Sequence, residues 1–308
     1  MFLRQFPVRL WIVLIFLPST SLLVGGRKLS TEENERNAKR CGVHFLGEGS
    51  HSGKRLSKRS FGGRQFEPNE FPWTVIVKLR EGFCSGVQIS PRHVLTVAHC
   101  VVDYDLHFNE LQCSLNRSYS AVSVMSDPRD LSVYIGINKE DPNKGSASEP
   151  FKAVLNVSKI TVHDFDFCDA YNDLALIELS QNVTESASVP ICMPSEDLQL
   201  HRVLYASGAG MDREIQNSAY VSASPKTLAD PYQLARGQQV VAQKFYAVED
   251  LWHMILTQTF SKLPMPGDAG GPLFQVDESE IHTLVGIACC GDDEWKSDIG
   301  ERLPRCVC

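Results

Sequence analysis

The stretch FPWTVIVKL (71–79) alternates in the manner of a β-strand, and the chain beyond it continues in the same style. Short runs rich in β-branched residues follow one another: CSGVQIS (84–90), HVLTVAHC (93–100), LSVYIGI (131–137), FKAVLNVSKITV (151–162), LALIEL (174–179) and HTLVGIA (282–288). Turn-forming residues separate them and few positions repeat with a helical period. That pattern predicts an all-β sandwich or barrel. Upstream the pattern is different. Arg4 and Arg9 precede the apolar run LWIVLIFL (10–17), and small residues follow up to Gly25 and Gly26. The run is too short to span a bilayer, so residues 1–26 read as a signal peptide, and an extracellular protein without a membrane anchor is expected.

Between the signal and the β-rich body lies a basic leader, residues 27–59. KLSTEENERNAKRCG (28–42) is polar, partly helical by pattern, and ends at Cys41. GEGSHSGKRLSKRS (47–60) has almost nothing to bury, which makes it exposed and easily cleaved, and it carries the dibasic pair Lys58-Arg59 near its end. Residues 60–308 then form the body.

Composition sharpens this picture in three ways. The 308 residues, 43% hydrophobic and 22% charged, can bury the core of one large or two small domains. Of 30 Lys+Arg and 37 Asp+Glu, residues 1–59 hold 11 and 4, leaving 19 and 33 in the body. A body this acidic disfavours nucleic acid and anionic lipid as partners, and on its own such charge serves solubility. Ten cysteines in a secreted chain point to disulfides, with a zinc site among the last four as the alternative; no cofactor is expected. Three N-x-S/T sequons, at Asn116, Asn156 and Asn182, suit passage through the secretory pathway.

The candidate chemistry lies in four segments. CSGVQISPRHVLTVAHC (84–100) places His99 one residue before a cysteine, and YNDLALIEL (171–179) sets Asp173 ahead of an apolar strand. PGDAGGPLF (266–274) surrounds Ala269 with glycines and Asp268, and SFGG (60–63) follows the dibasic pair. In this order the segments resemble the chymotrypsin/trypsin-like serine proteases, whose nucleophile segment is normally G-D-S-G-G-P and whose activated terminus is I-V-G-G. The intervals are 39 residues from Ser60 to His99, 74 to Asp173 and 96 to Ala269. The middle one is long for the family, which places loop insertions around Cys113 and Asn116. The resemblance covers residues 60–291, and the leader also resembles that of nematode secreted trypsin-like proteins.

The resemblance implies two six-stranded antiparallel β-barrels and a set of roles. His99 would take a proton from a serine and return it to the leaving amine, while buried Asp173 fixes the imidazole tautomer and stabilises its charged form. The amides of Gly267 and residue 269 would form the oxyanion hole. Cleavage after Arg59 would free an ammonium at Ser60 for Asp268 to accept, although Ser60 inserts far less apolar bulk than the family's isoleucine. Ala269 has no attacking oxygen, and Ser261 and Ser279 lie on segments the fold places elsewhere.

Other departures accompany the alanine. Leu263 stands at the family's specificity position, Met265 replaces a flanking cysteine, and Cys289, Cys290 and Gly291 occupy the substrate-aligning strand. The chain stops 17 residues after Gly291, short of the family's final strand and C-terminal helix. The family's bridges imply Cys84–Cys100, which closes the histidine loop, and Cys41–Cys192, which tethers a cleaved leader. Cys113–Cys168 is one candidate among the remainder, and Cys289, Cys290, Cys306 and Cys308 admit three pairings. The expectation is a secreted protease homologue without peptidase activity that binds proteases, their inhibitors or their substrates. The alternative is an active endopeptidase in which Ala269 is a variant or a sequence error.

Overall fold

A computed structural model describes residues 28–43, 63–65, 67, 69–103, 105–116, 124–137, 151–162, 164–168, 172–210, 238–249, 254–259, 267–289 and 305–307. The first elements are α1 (Thr31–Ala38), β1 (Arg64–Gln65), β2 (Thr74–Lys78), β3 (Phe83–Gln88) and β4 (His93–Thr96). A 3-10 turn (Ala98–Cys100), β5 (Val102–Asp103), α2 (Leu106–Leu115), β6 (Val124–Met125) and β7 (Ser132–Ile137) follow. Next are β8 (Phe151–Val162), β9 (Ala175–Leu179), β10 (Val203–Gly208) and β11 (Gln239–Glu249). The last are β12 (Met254–Thr259), β13 (Pro272–Val276), β14 (His282–Ile287) and β15 (Arg305–Val307).

Every β-branched run singled out in the sequence forms a strand. β2-β3-β4-β9-β8-β7 close into a six-stranded antiparallel barrel. Closure leaves no open edge for stray pairing, and alternate residues fill the interior, as the burial along β9 shows. The second half is a sheet in the order β14-β13-β10-β11-β12-β15, with β1 paired to β11. Among the described residues it does not close on itself. The described sheet ends in a short strand, where Thr257 to Ile255 of β12 pair with Arg305 to Val307. A short strand satisfies backbone groups without the apolar run that would reveal it in sequence.

One buried cluster crosses from barrel to sheet. Val75, Val77, Val133 and Ile177 share it with Val240, Phe274, Leu284 and Ile287. At the seam, Trp73 packs edge-on to Phe274 at 6.1 Å and against the His282 ring at 4.9 Å, while Phe71 lies 5.5 Å from Phe274. Each such ring contributes roughly 2–3 kcal/mol through burial, so the seam fixes how the two halves meet.

Two helices lie outside this core. α1 buries no residue and is held by a capping box in which Ser30 Oγ accepts from Glu33 N–H and Glu33 accepts from Ser30 N–H. α2 lies within the predicted insertion. Its Asp105 cap accepts from Phe108 N–H at 3.0 Å, and a Cys113–Cys168 disulfide ties it down.

Candidate functional site

The strand register brings His99 and Asp173 together. Thr96 at the end of β4 pairs with Ala175 at the start of β9, which sets the residues just beyond each strand side by side. Asn172 adopts φ 55°, where its side chain can bond locally, and its Nδ2 donates to Asp164 O at 3.1 Å. The Asp173 carboxylate accepts twice. Oδ1 takes the His99 backbone N–H at 2.9 Å, and Oδ2 faces His99 Nδ1 at 2.7 Å. The first bond fixes the main chain of the turn; the second puts the imidazole proton on Nδ1 and leaves Nε2 as the outward nitrogen. Asp173 is 6% exposed at its side chain and His99 29%, so the carboxylate is sheltered while the ring edge stays reachable.

The loop carrying Ala269 is held from both halves. Gly267 and Gly270 have φ values of 101° and 83°, which side-chain-bearing residues rarely adopt. A Cβ on Gly270 would come within 2.2 Å of Thr96 Oγ1 and 2.3 Å of Ser85 O, so the loop presses directly on the strands leading to His99. Ser85 is the hub. Its N–H donates to Ala269 O at 2.8 Å and its Oγ to Gly267 O at 2.7 Å, while Ala209 N–H donates to that same Oγ at 2.9 Å. Thr96 Oγ1 completes the arrangement by donating to Ser85 O at 2.8 Å.

Asp268 points at the chain after β10. Its Oδ1 accepts Gly210 N–H at 2.7 Å, and a Cβ on Gly208 or Gly210 would meet its carboxylate at 2.4 or 2.3 Å. Ser60, its expected partner, lies outside the described residues, as do Arg59, Leu263, Met265, Cys290 and Gly291. Residue 269 itself is 4% exposed and presents a methyl group. Ser279 sits in the β13–β14 turn with its N–H on Asp277 Oδ1 at 2.8 Å, remote from this loop, and Ser261 is among the residues not described.

The sequence had not marked Ser85, Thr96, Gly208 or Gly210. A signal existed for the last two: SGAG (207–210) is a run of small residues that opens from a strand, which marks close approach of another backbone. Ser85 carried none, because its role depends on contacts 124 and 182 residues away in the chain.

Three disulfides join pairs of described residues: Cys84–Cys100, Cys41–Cys192 and Cys113–Cys168. Cys289 is disulfide-bonded too and packs on the main core, so its sulfur is not a metal thiolate. No group of three metal-binding side chains occurs among the described residues. The Cys41 tether is reinforced by backbone pairing. Gly42 N–H donates to Pro190 O at 2.9 Å, and Gly42 O accepts from His282 N–H at 3.0 Å. The three sequon asparagines are exposed, and Asn182 Oδ1 accepts from Arg92 Nε at 2.9 Å. No helix among the described residues is long and apolar enough to cross a membrane.

Known proteins resemble this chain along most of its length. CLIP domain-containing serine protease B9 of Anopheles gambiae is 26% identical over 289 residues, which is 89% of this chain and 64% of the relative. CLIP domain-containing serine protease HP8 of Bombyx mori is 32% identical over 52% of this chain and 39% of its own length. Mannan-binding lectin serine protease 1 of Mus musculus is 27% identical over 84% of this chain and 34% of its own. The chain thus spans less than two thirds of each of these three relatives. A solved structure, the scabies mite inactivated protease paralogue S-I1, aligns with a TM-score of 0.49 at 20% identity, covering 77% of this chain and 88% of the other. The Trypsin family model matches residues 60–300, and the chain accordingly belongs to the trypsin family.

Proposed function

We propose that this chain is a secreted, non-peptidase member of the trypsin family that works by binding proteins. One observation carries the reading: position 269, in the loop packed against Ser85 and Thr96 on the strands that lead to His99, holds a methyl group. An acyl-enzyme needs an oxygen there, and general-base help from His99 has nothing to deprotonate. Loss of one triad member leaves only weak residual catalysis from binding and the oxyanion amides. Partners of the expected kind are proteases, their inhibitors or their substrates, because the fold presents a protease-shaped surface. Cleavage after Arg59 would leave the basic leader attached through Cys41–Cys192 and would regulate binding in place of catalysis. Glycans at Asn116, Asn156 and Asn182 belong to the same secreted state.

The intact His99–Asp173 geometry supports a second reading, an active serine endopeptidase whose natural residue at 269 is serine. Treating the chain, cleaved after Arg59, with a fluorophosphonate probe separates the two. The first reading expects no labelling. Covalent labelling of the native chain overturns it and leaves the second standing.

A further inference from the structure

The leader helix α1 sits on the body with little apolar contact. It buries no residue, and at eight residues it is too short to hold its shape in isolation. The Cys41–Cys192 disulfide and the Arg40–Glu185 ion pair fasten the end nearest Cys41. There, Arg36, Asn37 and Arg40 border Pro91, Val183 and Glu185 of the body across an open crevice. At the other end of the helix a second crevice has Lys28, Leu29 and Glu33 on one wall and Pro91, Arg92 and Asn182 on the other. A sequon asparagine therefore borders the part of the leader that lies farthest along the chain from the disulfide.

The turn bearing Asn182 is fixed to the body. Val183 is buried and its N–H donates to Pro91 O at 2.7 Å, while Leu179 N–H donates to Arg92 O at 2.8 Å. Arg92 Nε donates to Asn182 Oδ1 at 2.9 Å. A guanidinium only donates, so this bond turns Oδ1 toward Arg92 and sets Nδ2, the atom that carries a glycan, on the other side of the amide. Attachment replaces one Nδ2 hydrogen and leaves Oδ1 unchanged. The Arg92 bond thus persists in the modified chain and aims the sugar.

We propose that Asn182 is a glycan site whose first sugar, an N-acetylglucosamine, lies across the second crevice and clasps the leader helix to the body. The inference rests on the secreted state proposed above. In the secretory pathway, Nδ2 displaces the pyrophosphate of a lipid-linked oligosaccharide at its anomeric carbon: the N–C bond forms, the C–O bond breaks and one amide proton leaves. The sugar suits both walls. Its ring face and acetyl methyl cover Leu29 and Pro91, and its hydroxyls and amide meet the Glu33 carboxylate and the Lys28 ammonium. Held at both ends, by the disulfide and by the sugar, the helix stays folded on the body after cleavage at Arg59.

The test uses the full chain secreted from animal cells. Hydrogen exchange of residues 31–38 is read by mass spectrometry, and occupancy of Asn182 is read on its glycopeptide. Thr184→Ala removes the sequon but keeps Asn182 and its bond to Arg92, whereas Thr184→Ser keeps the sequon. Exchange in α1 should rise at least about fivefold in Thr184→Ala, the effect of one ordinary hydrogen bond, and stay at the native rate in Thr184→Ser. Enzymatic treatment of the folded chain gives a second route that needs no variant. Trimming the glycan to its first sugar should leave exchange unchanged, and removing it whole should raise exchange as Thr184→Ala does. Equal exchange with and without the glycan overturns the clasp, as does a rise on trimming to one sugar. Either result, with Asn182 occupied, leaves the secreted state intact. An unmodified Asn182 overturns the proposal and counts against that state as well, and fluorophosphonate labelling tests the non-peptidase reading separately.

Discussion

The corner formed by β4 and β9 and the loop from Gly267 to Gly271 are both fixed in place, but by different kinds of contact. At the corner, the groups that would move a proton also hold the structure together: Asp173 bonds the main chain and the ring of His99 at once. In the loop, the frame is made of backbone, glycine and neighbours. Gly270 presses on Thr96 and Ser85, Ser85 holds the carbonyls on either side of Asp268, and Asp268 accepts from Gly210. Nothing in that frame requires an atom beyond Cβ at position 269. A shape maintained in this way does not depend on which small side chain stands at position 269, whereas the corner could not lose its chemistry without losing its packing.

The largest expected effect comes from breaking the loop's steric frame. Gly270→Ala combines an unfavourable φ with a backbone collision, and should destabilise the chain by about 4 kcal/mol. Guanidinium unfolding of the secreted protein would show it, and a shift below about 1 kcal/mol would mean that the loop is not pressed on the barrel. Asp173→Ala follows, at about 3 kcal/mol, because it strips a charged acceptor from two donors. The same unfolding measurement tests it, and a null result would show the corner's bonds to be dispensable. Ser85→Ala should cost about 2 kcal/mol by leaving Gly267 O and Ala209 N–H unpaired. If Ser85→Ala proved harmless, the loop would be held by sterics alone and the hub role would fail.

The smallest effect is a dependence on pH at the corner's own strand. His93, half-buried on β4 with Nδ1 2.8 Å from Ser90 Oγ, has its pKa lowered, chiefly by burial and against the opposing pull of Glu178. The unfolded chain therefore binds the proton more readily. Stability from neutral His93 is present above the unfolded value near 6.5 and is lost as pH falls through the lower folded value. Unfolding midpoints measured between pH 7.5 and 5 should show that decline, and His93→Gln should flatten it. An unchanged slope in the variant would assign the decline to other groups.

Much of this was legible in the sequence, for identifiable reasons. Strand segments showed because each is a short β-branched run between turns, and His99, Asp173 and Ala269 showed because their flanking residues come in a fixed order. The leader helix was readable from LSTEEN, in which Ser30 and Glu33 form the capping box. Other features had no local signature. α2 has only ten residues, set in a loop insertion, and is stabilised by an Asp105 cap and a disulfide that sequence left open. β15 has three residues, and pairing with β12 is all that defines it. Ser85 looks like any strand serine until Gly267 and Ala209 arrive from the far end of the chain.

The central claim is that the frame around position 269 persists while its nucleophile does not. It is tested most directly by comparing fluorophosphonate labelling of the native chain with that of Ala269→Ser, both cleaved after Arg59. The probe is small and needs only a serine, His99 and the two loop amides, so changes in the specificity pocket should not mask the result. The account predicts no labelling of the native chain and covalent labelling of the variant. A labelled native chain would contradict the loss of the nucleophile, and an unlabelled variant that folds normally would contradict the persistence of the frame.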